Sequence, residues 1–274
     1  MITGEQATTA ARIGDLTLAC PRCRAPLVPD GDGAVRCTVE GDRFPNEDGI
    51  WCFLLPERER RLAQFMAEYA AVRRAEGRGD DDPSFYRALP FHDLTGRFVD
   101  DWRIRAVSYQ ALVNRVLPPL ETRWRRPLRI LDLGAGNCWL SYRLARRGHS
   151  VVAVDLLTDL RDGLGAYVHY DAVFTPVQAE FDRLPFADGQ ADLAIFNASL
   201  HYSPDYATTL REVLRVLAPE GQVVILDSPV YRDARSGEQM LREREAEFTR
   251  RFGFPSNSLP SEGYLTVGRL DSLA

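Results

Sequence analysis

Lysine is absent from this sequence of 274 residues, so all 34 of its Lys-plus-Arg side chains are arginines. This bias indicates the base composition of a GC-rich gene and is not evidence about mechanism. Long hydrophobic runs are missing too, since none approaches the ~18 apolar residues of a membrane-spanning helix. The N-terminal stretch MITGEQATTAARIGDL lacks the charged and then apolar pattern of a secretory signal, which predicts a cytoplasmic protein.

The sequence also lacks an excess of positive charge. Its 34 basic residues face 39 acidic ones, the net charge is −5 and the isoelectric point is near 5.5. Domains that bind nucleic acid normally present a basic face, so this composition argues against a nucleic-acid partner. With 45% hydrophobic and 27% charged residues, the chain is typical of a globular protein, and we expect no membrane partner.

Cysteine is scarce and unevenly placed, because four of the five cysteines lie within the first 52 residues. In a cytosolic chain, clustered cysteines bind metal more often than they form disulfides. Cys20 and Cys23 form a CPRC pair of the kind whose backbone N–H groups support metal-bound thiolates, and Cys37 follows. Short β-prone pieces between Gly, Asp and Pro turns predict a small hairpin module over residues 1–56.

The remainder of the chain divides into a helical region and an alternating one. Residues 57–79 and 102–117 carry apolar side chains at helical spacing, DDDPS (80–84) predicts a linker, and Pro118-Pro119 predicts a helix end. The predicted strands are 129–133, 149–155, 174–180, 191–197 and 221–227, and the predicted helices are 137–147, 158–168, 205–218 and 235–252. This alternation indicates a doubly wound, mainly parallel α/β sheet over 121–274, preceded by a helical lid or linker over 57–120.

The stretch RILDLGAGNCWL (129–140) joins the first predicted strand to a glycine turn and a helix. Such a turn lets the backbone approach a ligand, and the helix N-terminus offers free N–H groups. A dinucleotide site would need glycine at positions 134, 136 and 139. Trp139 is too large for the close approach of a pyrophosphate, so we favour another nucleotide-like ligand.

An ordered set of motifs downstream resembles the class I methyltransferases that depend on S-adenosylmethionine (SAM), Rossmann-like proteins of the methyltransferase type 11-like kind. LDLGAG (131–136) is similar to the first motif of that family, and VVAVDL places Asp155 at the end of the second strand. AEFDRLPFADGQADL, NASLHY and LREVLRVLAPEGQVVILD follow in the order of the family. The ordered set spans about a hundred residues and is more specific than any one motif.

The resemblance implies a cofactor site made of strand ends. Asp155 would accept the ribose hydroxyls, Glu180 the adenine amine, and Asp132 would meet the methionine end. The residues that the resemblance assigns to SAM are Asp132, Gly134, Ala135, Gly136, Asp155, Leu156, Glu180, Phe181, Asn197 and Ala198. Many relatives keep a third glycine where this chain has Cys138, which we expect to pack as a small buried apolar residue.

The N-terminal segment resembles the short zinc ribbon that precedes some methyltransferases, in which CPxC, a second CxxC and FPxxDGI follow in order. FPNEDGIW (44–51) matches, but Glu40 occupies the position of the fourth cysteine. The resemblance implies one structural Zn²⁺ on Cys20, Cys23, Cys37 and, as a substitute, Cys52. Glu40 is the alternative fourth ligand, and a ribbon that folds without metal is the alternative to both.

His201 and Tyr202 follow the fourth predicted strand, where the resemblance places the methyl group. Histidine at neutral pH accepts a proton from a hydroxyl or an amine, so these two residues are the catalytic candidates. The alternative is that His201 only lines the cofactor pocket. We expect a substrate lid from the helical region and an opposite wall from residues 227–240. The candidate lid residues are Tyr69, Tyr86, Phe91, Trp102, Arg103, Arg105 and Tyr109.

These features predict methyl transfer from SAM to an oxygen or nitrogen atom of a small molecule. Two alternatives stay open: a methyltransferase for rRNA or tRNA bases, and a non-catalytic SAM-binding homologue that acts through partners. The family fold usually continues to a sixth and a seventh strand, for which residues 228–274 leave little room. We therefore expect an incomplete sheet edge, which would favour a homodimer.

Overall fold

The computed structural model describes residues 9–254 and 259–273. Short strands separated by turns make up the first part of the chain. They are β1 Arg12–Ile13, β2 Leu16–Thr17, β3 Leu27–Pro29, β4 Val35–Cys37, β5 Arg43–Phe44, β6 Asn46–Glu47 and β7 Ile50–Cys52. The strands β3, β4 and β5 form a three-stranded antiparallel sheet, in agreement with the predicted hairpin module.

Four helices follow: α1 Pro56–Ala75, α2 Pro83–Ala88, α3 Val99–Ala111 and α4 Leu117–Trp124. The segment predicted as a linker instead leads into α2, because the Asp82 carboxylate caps that helix at the Ser84 N–H. The predicted stop at Pro118-Pro119 is wrong as well. Both prolines stand in the first turn of α4, where the missing N–H groups cost nothing, and the helix ends at Arg125 in a left-handed conformation.

The main sheet is built from the alternating part of the chain. Its elements are β8 Arg129–Leu133, α5 Trp139–Arg146, β9 Ser150–Asp155, β10 Thr175–Gln178, β11 Ala191–Asn197, α6 Tyr206–Val216 and β12 Leu217–Leu226. The strand order is β12-β11-β8-β9-β10-β7-β6, with every pair parallel except β6 and β7. The doubly wound, mainly parallel α/β sheet is confirmed, and the N-terminal segment extends it through β7.

One predicted helix, 158–168, is absent as an α-helix from this described stretch. A 3₁₀ segment, Leu164–His169, takes its place after an irregular turn. A Cβ at Gly163 or Gly165 would lie within 2.8 Å of backbone atoms of residues 157–159, so the chain makes a tight turn there that leaves no room for a side chain.

Alternating side chains along the strands divide the core between the two faces of the sheet. Leu131 and Leu133 pack with Leu27 and Phe44 of the N-terminal module and with residues of α6. Ile130, by contrast, packs with side chains of α3, α4 and α5. The cysteine-containing module therefore covers one face of the sheet in the way that a layer of helices does.

The last elements are β13 Val230–Tyr231, α7 Ala234–Phe252, β14 Leu265–Thr266 and α8 Val267–Leu273. The strands β13 and β14 pair only with each other in the described residues. Within the same residues β12 pairs with β11 alone, which agrees with the expected incomplete edge. No helix in the described ranges combines the length and the apolar character needed to cross a membrane.

Candidate functional site

The loop after β8 is folded tightly against the neighbouring strand ends. Gly134 has φ +78°, and a Cβ there would lie 2.3 Å from the Ser199 Cβ, so only glycine fits. The N–H groups of Gly134 and Ala135 both donate to the Val154 carbonyl, at 2.8 and 3.1 Å. The loop therefore passes over the ends of β9 and β11 and forms the floor of a cavity.

Asp155, at the end of β9, is held by the backbone. Its Oδ2 accepts from the Gly136 N–H at 2.8 Å, and its Oδ1 accepts from the N–H groups of Leu156 and Leu157 at 2.7 and 3.0 Å. Burial raises the pKa of this carboxyl, and the three backbone hydrogen bonds oppose the rise. A carboxylate offers about four acceptor positions, so Asp155 keeps acceptor capacity for a ligand hydroxyl.

Glu180 follows β10 and is only 9% exposed. Its carboxylate accepts hydrogen bonds from Arg58, in the first turn of α1, with Nε at 2.9 Å and Nη2 at 2.6 Å. Asp182 lies further from the same guanidinium, at 3.8 Å. The helix α1 is thus attached to the cavity through the carboxylate that the sequence assigned to adenine.

Asp132, on β8, is buried below the glycine loop. Its Oδ2 accepts from the Ser141 hydroxyl at 2.7 Å, whereas its Oδ1 has no hydrogen-bond partner among the described residues. Burial raises the pKa of this carboxyl to about 7, against the opposing hydrogen bond of Ser141. A buried carboxylate oxygen without a donor is rare in proteins and indicates a missing partner that donates hydrogen bonds.

The end of β11 turns sharply toward the same cavity. Ala198 adopts φ +53°, and its N–H donates to the Leu226 carbonyl at 2.8 Å. The Asn197 side-chain amide donates to Asp227 at 3.2 Å, just after β12. Backbone strain of this kind persists where the surroundings impose it, and it is concentrated at binding sites.

His201 and Tyr202 lie on a short 3₁₀ turn after β11. His201 is 7% exposed, and its Nδ1 has no partner among the described residues. Burial, together with the positive charge of Arg244, lowers the pKa of His201 to about 4, so the imidazole is neutral at pH 7. Tyr202 packs edge-on against Tyr69 of α1, with ring centroids 5.7 Å apart.

Helices α1 and α3 cover the cavity. Tyr69, Trp102 and Arg105 line it as expected for a lid. The other four lid candidates do not: Tyr86 is fully buried under His169, Tyr109 packs on Trp139, and Phe91 and Arg103 are exposed. In the described part of the chain, residues 227–240 contribute nothing to the lining, so the predicted opposite wall is wrong.

The strand ends and the lid enclose one cavity of about 320 Å³. The structure brings all ten residues that the sequence assigned to the cofactor into its lining, together with His201 and Tyr202. Five further charged residues of the lining were missed: Arg58, Arg61 and Arg73 of α1, Asp162, which pairs with Arg73, and Asp182. The spacing of Arg58, Leu62, Phe65, Tyr69 and Arg73 along one helical face was the available signal.

Three of the four predicted metal ligands converge in the N-terminal module. The Sγ atoms of Cys20, Cys23 and Cys37 all lie within 4.8 Å of one another. The N–H groups of Val39 and Glu40 donate to Cys37 Sγ at 3.5 and 3.3 Å, as in a metal-binding knuckle. Cys52 lies elsewhere: it stands on β7, is paired in register with Gln178, and its thiol contacts the Ile50 carbonyl.

Comparison with known proteins points to one family of domains. Residues 131–225 match the family model described as a methyltransferase domain. A malonyl-acyl-carrier protein O-methyltransferase of Halorhodospira halophila is 35% identical over 121 residues, covering 43% of this chain and 41% of that protein. A demethylmenaquinone methyltransferase of Thermus thermophilus is 32% identical over 138 residues, covering 43% of this chain and 60% of that protein.

Among solved structures, a 1,6-didemethyltoxoflavin-N1-methyltransferase of Burkholderia thailandensis has a TM-score of 0.40 and 22% identity, covering 70% of this chain and 71% of that chain. The chain spans less than two thirds of the length of both curated relatives.

Proposed function

We propose that this chain, whose residues 131–225 match a methyltransferase domain, is a class I SAM-dependent enzyme that transfers a methyl group from SAM to an oxygen or nitrogen atom of a small molecule. One observation carries the proposal. Three acidic residues stand on neighbouring strands and line the same cavity: Asp132 on β8, Asp155 at the end of β9 and Glu180 just after β10. In this order they match the methionine, ribose and adenine parts of SAM along the sheet.

The donors and acceptors in the cavity fit SAM. Asp132 Oδ1, buried and without a donor among the described residues, is suited to the α-ammonium group, and Asp155 keeps acceptor capacity for the ribose. Glu180 is the acceptor for the adenine amine, and the N-terminus of α5 follows the glycine loop. When bound, SAM would supply a sulfonium methyl group, whose carbon bonds to the oxygen or nitrogen atom of the acceptor as the carbon–sulfur bond breaks and S-adenosylhomocysteine leaves.

His201 is the candidate to take up a proton from the acceptor. It is neutral, it lines the cavity, and its Nδ1 has no partner in the described residues. Its low pKa makes it a weak base in the free protein, so its main role there would be to orient a hydroxyl or amine. Unchanged turnover in the variant His201→Ala would refute a base role.

The cavity volume of about 320 Å³ and its cover of two helices support a small acceptor. The acidic composition gives no support to an RNA substrate. Incubation with SAM labelled on the methyl group, and then with either a small-molecule extract or total RNA, separates these substrates. We expect label to enter the small-molecule fraction only, and label in RNA alone would refute the small-molecule assignment.

We further propose that Cys20, Cys23 and Cys37 hold one structural Zn²⁺. Tetrahedral zinc with bonds of about 2.3 Å to sulfur separates its thiolates by about 3.8 Å, which suits three sulfur atoms this close. Water or Glu40 would complete the tetrahedron, because Cys52 belongs to the main sheet. Bound zinc would join the CPRC turn to β4 and thereby stabilise the module against the sheet.

A further inference from the structure

Arg105 is a partly buried cation in the wall of the cavity. It follows Trp102 by one turn of α3, and its guanidinium stacks on that indole at 4.6 Å from the ring centroid. Among the described residues, the Arg105 side chain donates no hydrogen bond and has no acidic group within ion-pair distance. The buried Nε1–H of Trp102 likewise has no acceptor in that set. Two neighbouring donors in the cavity wall are therefore left without an acceptor.

The other cations of the lining do not share this property. Arg58 is paired with Glu180 and Arg73 with Asp162, while Arg61 is exposed to solvent. Burial lowers the pKa of Arg105, and the positive charges of Arg73 and Arg78 add to the effect. Asp101 and Asp227 oppose it only in part, and neither lies within ion-pair distance. A partly buried charge is unfavourable until an anion pairs with it.

The position of α3 places Arg105 on the acceptor side of the cavity. The proposed contacts to adenine, ribose and the methionine end of SAM lie at β10, β9 and β8. Asn197 and Ala198, at the end of β11, are assigned to SAM as well, so the acceptor is expected beside them, toward β12. Ser108, one turn after Arg105, donates its hydroxyl to Asp227 directly after β12. Asp227 also accepts from Asn197 at the end of β11. The helix is thus attached where the acceptor is expected.

We infer that the methyl acceptor carries a carboxylate and that Arg105 binds it, an inference that rests on the proposed function. The planar guanidinium matches the two oxygens of a carboxylate and keeps its stacking on Trp102 while it does so. The rings of Phe65, Tyr69 and Tyr202, which contact one another across the cavity, provide an apolar surface for the body of the acid. The acceptor class is therefore a small carboxylic acid with an apolar or aromatic body.

The test compares acids with their primary amides, which keep the shape and lose the charge. Benzoate, cinnamate and octanoate, each beside its amide, are titrated with and without saturating S-adenosylhomocysteine (SAH), and the melting temperature is recorded. The proteins are the wild type, Arg105→Gln, Arg105→Lys and the control Arg103→Gln, which changes an exposed arginine of the same helix paired with Asp100.

We expect at least one acid to raise the Tm of the wild type and of Arg103→Gln by about 2 °C or more, and its amide to have no effect. Arg105→Gln should lose this shift while it binds SAH within about threefold of the wild type. Arg105→Lys should keep part of the shift, because the charge remains and the planar fork is lost. Since Arg105→Gln removes an unpaired charge, its own Tm should not fall, whereas a merely structural arginine would lower it.

Three results would overturn the inference: no shift with any acid in the wild type, the same shift in Arg105→Gln, or a tenfold or greater loss of SAH affinity in that variant. In the last case, an unchanged affinity for 5′-methylthioadenosine, which has no carboxylate, would assign Arg105 to the cofactor. Failure of the proposed function looks different. In that case the wild type would not bind SAH. If an acid still raised the Tm of the wild type and Arg105→Gln abolished that increase, the carboxylate site would be supported without the proposed function.

Discussion

The guanidinium of Arg58 binds the carboxylate of Glu180 through both Nε and Nη2, across 122 residues of sequence. This ion pair attaches the first turn of α1 to the end of β10 at the edge of the cavity. The same carboxylate is the proposed acceptor for adenine. Packing of the covering helix and binding of the cofactor therefore depend on one side chain.

We expect the variant Glu180→Gln to weaken both the packing of α1 and the binding of the cofactor. Loss of the charge leaves Arg58 without its partner, which should lower the free energy of unfolding by about 3 kcal/mol. SAH affinity measured by calorimetry should fall about tenfold or more, since one acceptor oxygen is lost. The matched control is Asp182→Asn, whose carboxylate lies 3.8 Å from Arg58. Equal losses of affinity in the two variants would contradict the assignment of Glu180.

The affinity for SAH should depend on pH through Asp132. Its pKa is raised to about 7 by burial, so the free protein holds a neutral carboxyl below neutral pH. Binding of an ammonium group requires the ionised form, and SAH affinity should rise as the pH increases from 6 to 8. Asp132→Asn should flatten this profile. Ser141→Ala, which removes the opposing hydroxyl donor, should move the midpoint to higher pH.

Asp132 should also affect stability, with a definite sign. Below about pH 4 the carboxyl is protonated in both the folded and the unfolded chain, and its burial then does not lower the free energy of unfolding. Between about pH 4 and 7 only the unfolded chain ionises, so the free energy of unfolding falls by up to roughly 4 kcal/mol and then levels off. The difference between wild type and Asp132→Asn in denaturant titrations isolates this effect. A difference that does not change with pH would contradict the raised pKa.

His201 should destabilise the protein in acid. Its pKa is lowered to about 4, so above about pH 6.5 the imidazole is neutral in both states. As the pH falls from about 6.5 to 4, the imidazole is protonated in the unfolded chain but stays neutral in the folded chain. The free energy of unfolding therefore drops by up to roughly 3 kcal/mol. His201→Asn should lack this drop, whereas His92→Asn, at an exposed site, should retain it. Identical acid titrations of all three proteins would refute the account.

The zinc content of cysteine variants should show which of the four N-terminal cysteines bind the metal. Elemental analysis of the purified protein should find one zinc per chain, and Cys37→Ser should lose it, because three close thiolates are reduced to two. Cys52→Ser should keep it, since that thiol contacts the Ile50 carbonyl in the main sheet. Zinc lost from Cys52→Ser and kept by Cys37→Ser would reverse the assignment.

Much of the sheet could be predicted from the sequence because its central strands are buried on both faces. Arg129–Leu133 and Ala191–Asn197 have the predicted bounds, as continuous apolar runs between turns allow. The cofactor residues were accessible for the same reason, since each stands at the end of such a run. Local pattern and motif spacing sufficed there.

The remaining features depend on contacts between distant parts of the chain. The pairing of Cys52 with Gln178 on β10 draws that cysteine into the main sheet and away from the other three, and no local pattern indicates it. The ion pairs of Arg58 and Arg73 join α1 to loops far along the sequence. The prolines at 118 and 119 misled the helix prediction, because only their position in the first turn makes them tolerable.

The most direct test of the proposed cofactor site is calorimetric titration of SAM and SAH into wild type, Asp155→Asn and the control Asp171→Asn, which changes an exposed carboxylate in a loop after β9. We predict one SAH per chain for wild type and for the control, and about tenfold or greater loss of affinity in Asp155→Asn. Absence of binding of either ligand to the wild type, or equal affinity in Asp155→Asn, would contradict the account.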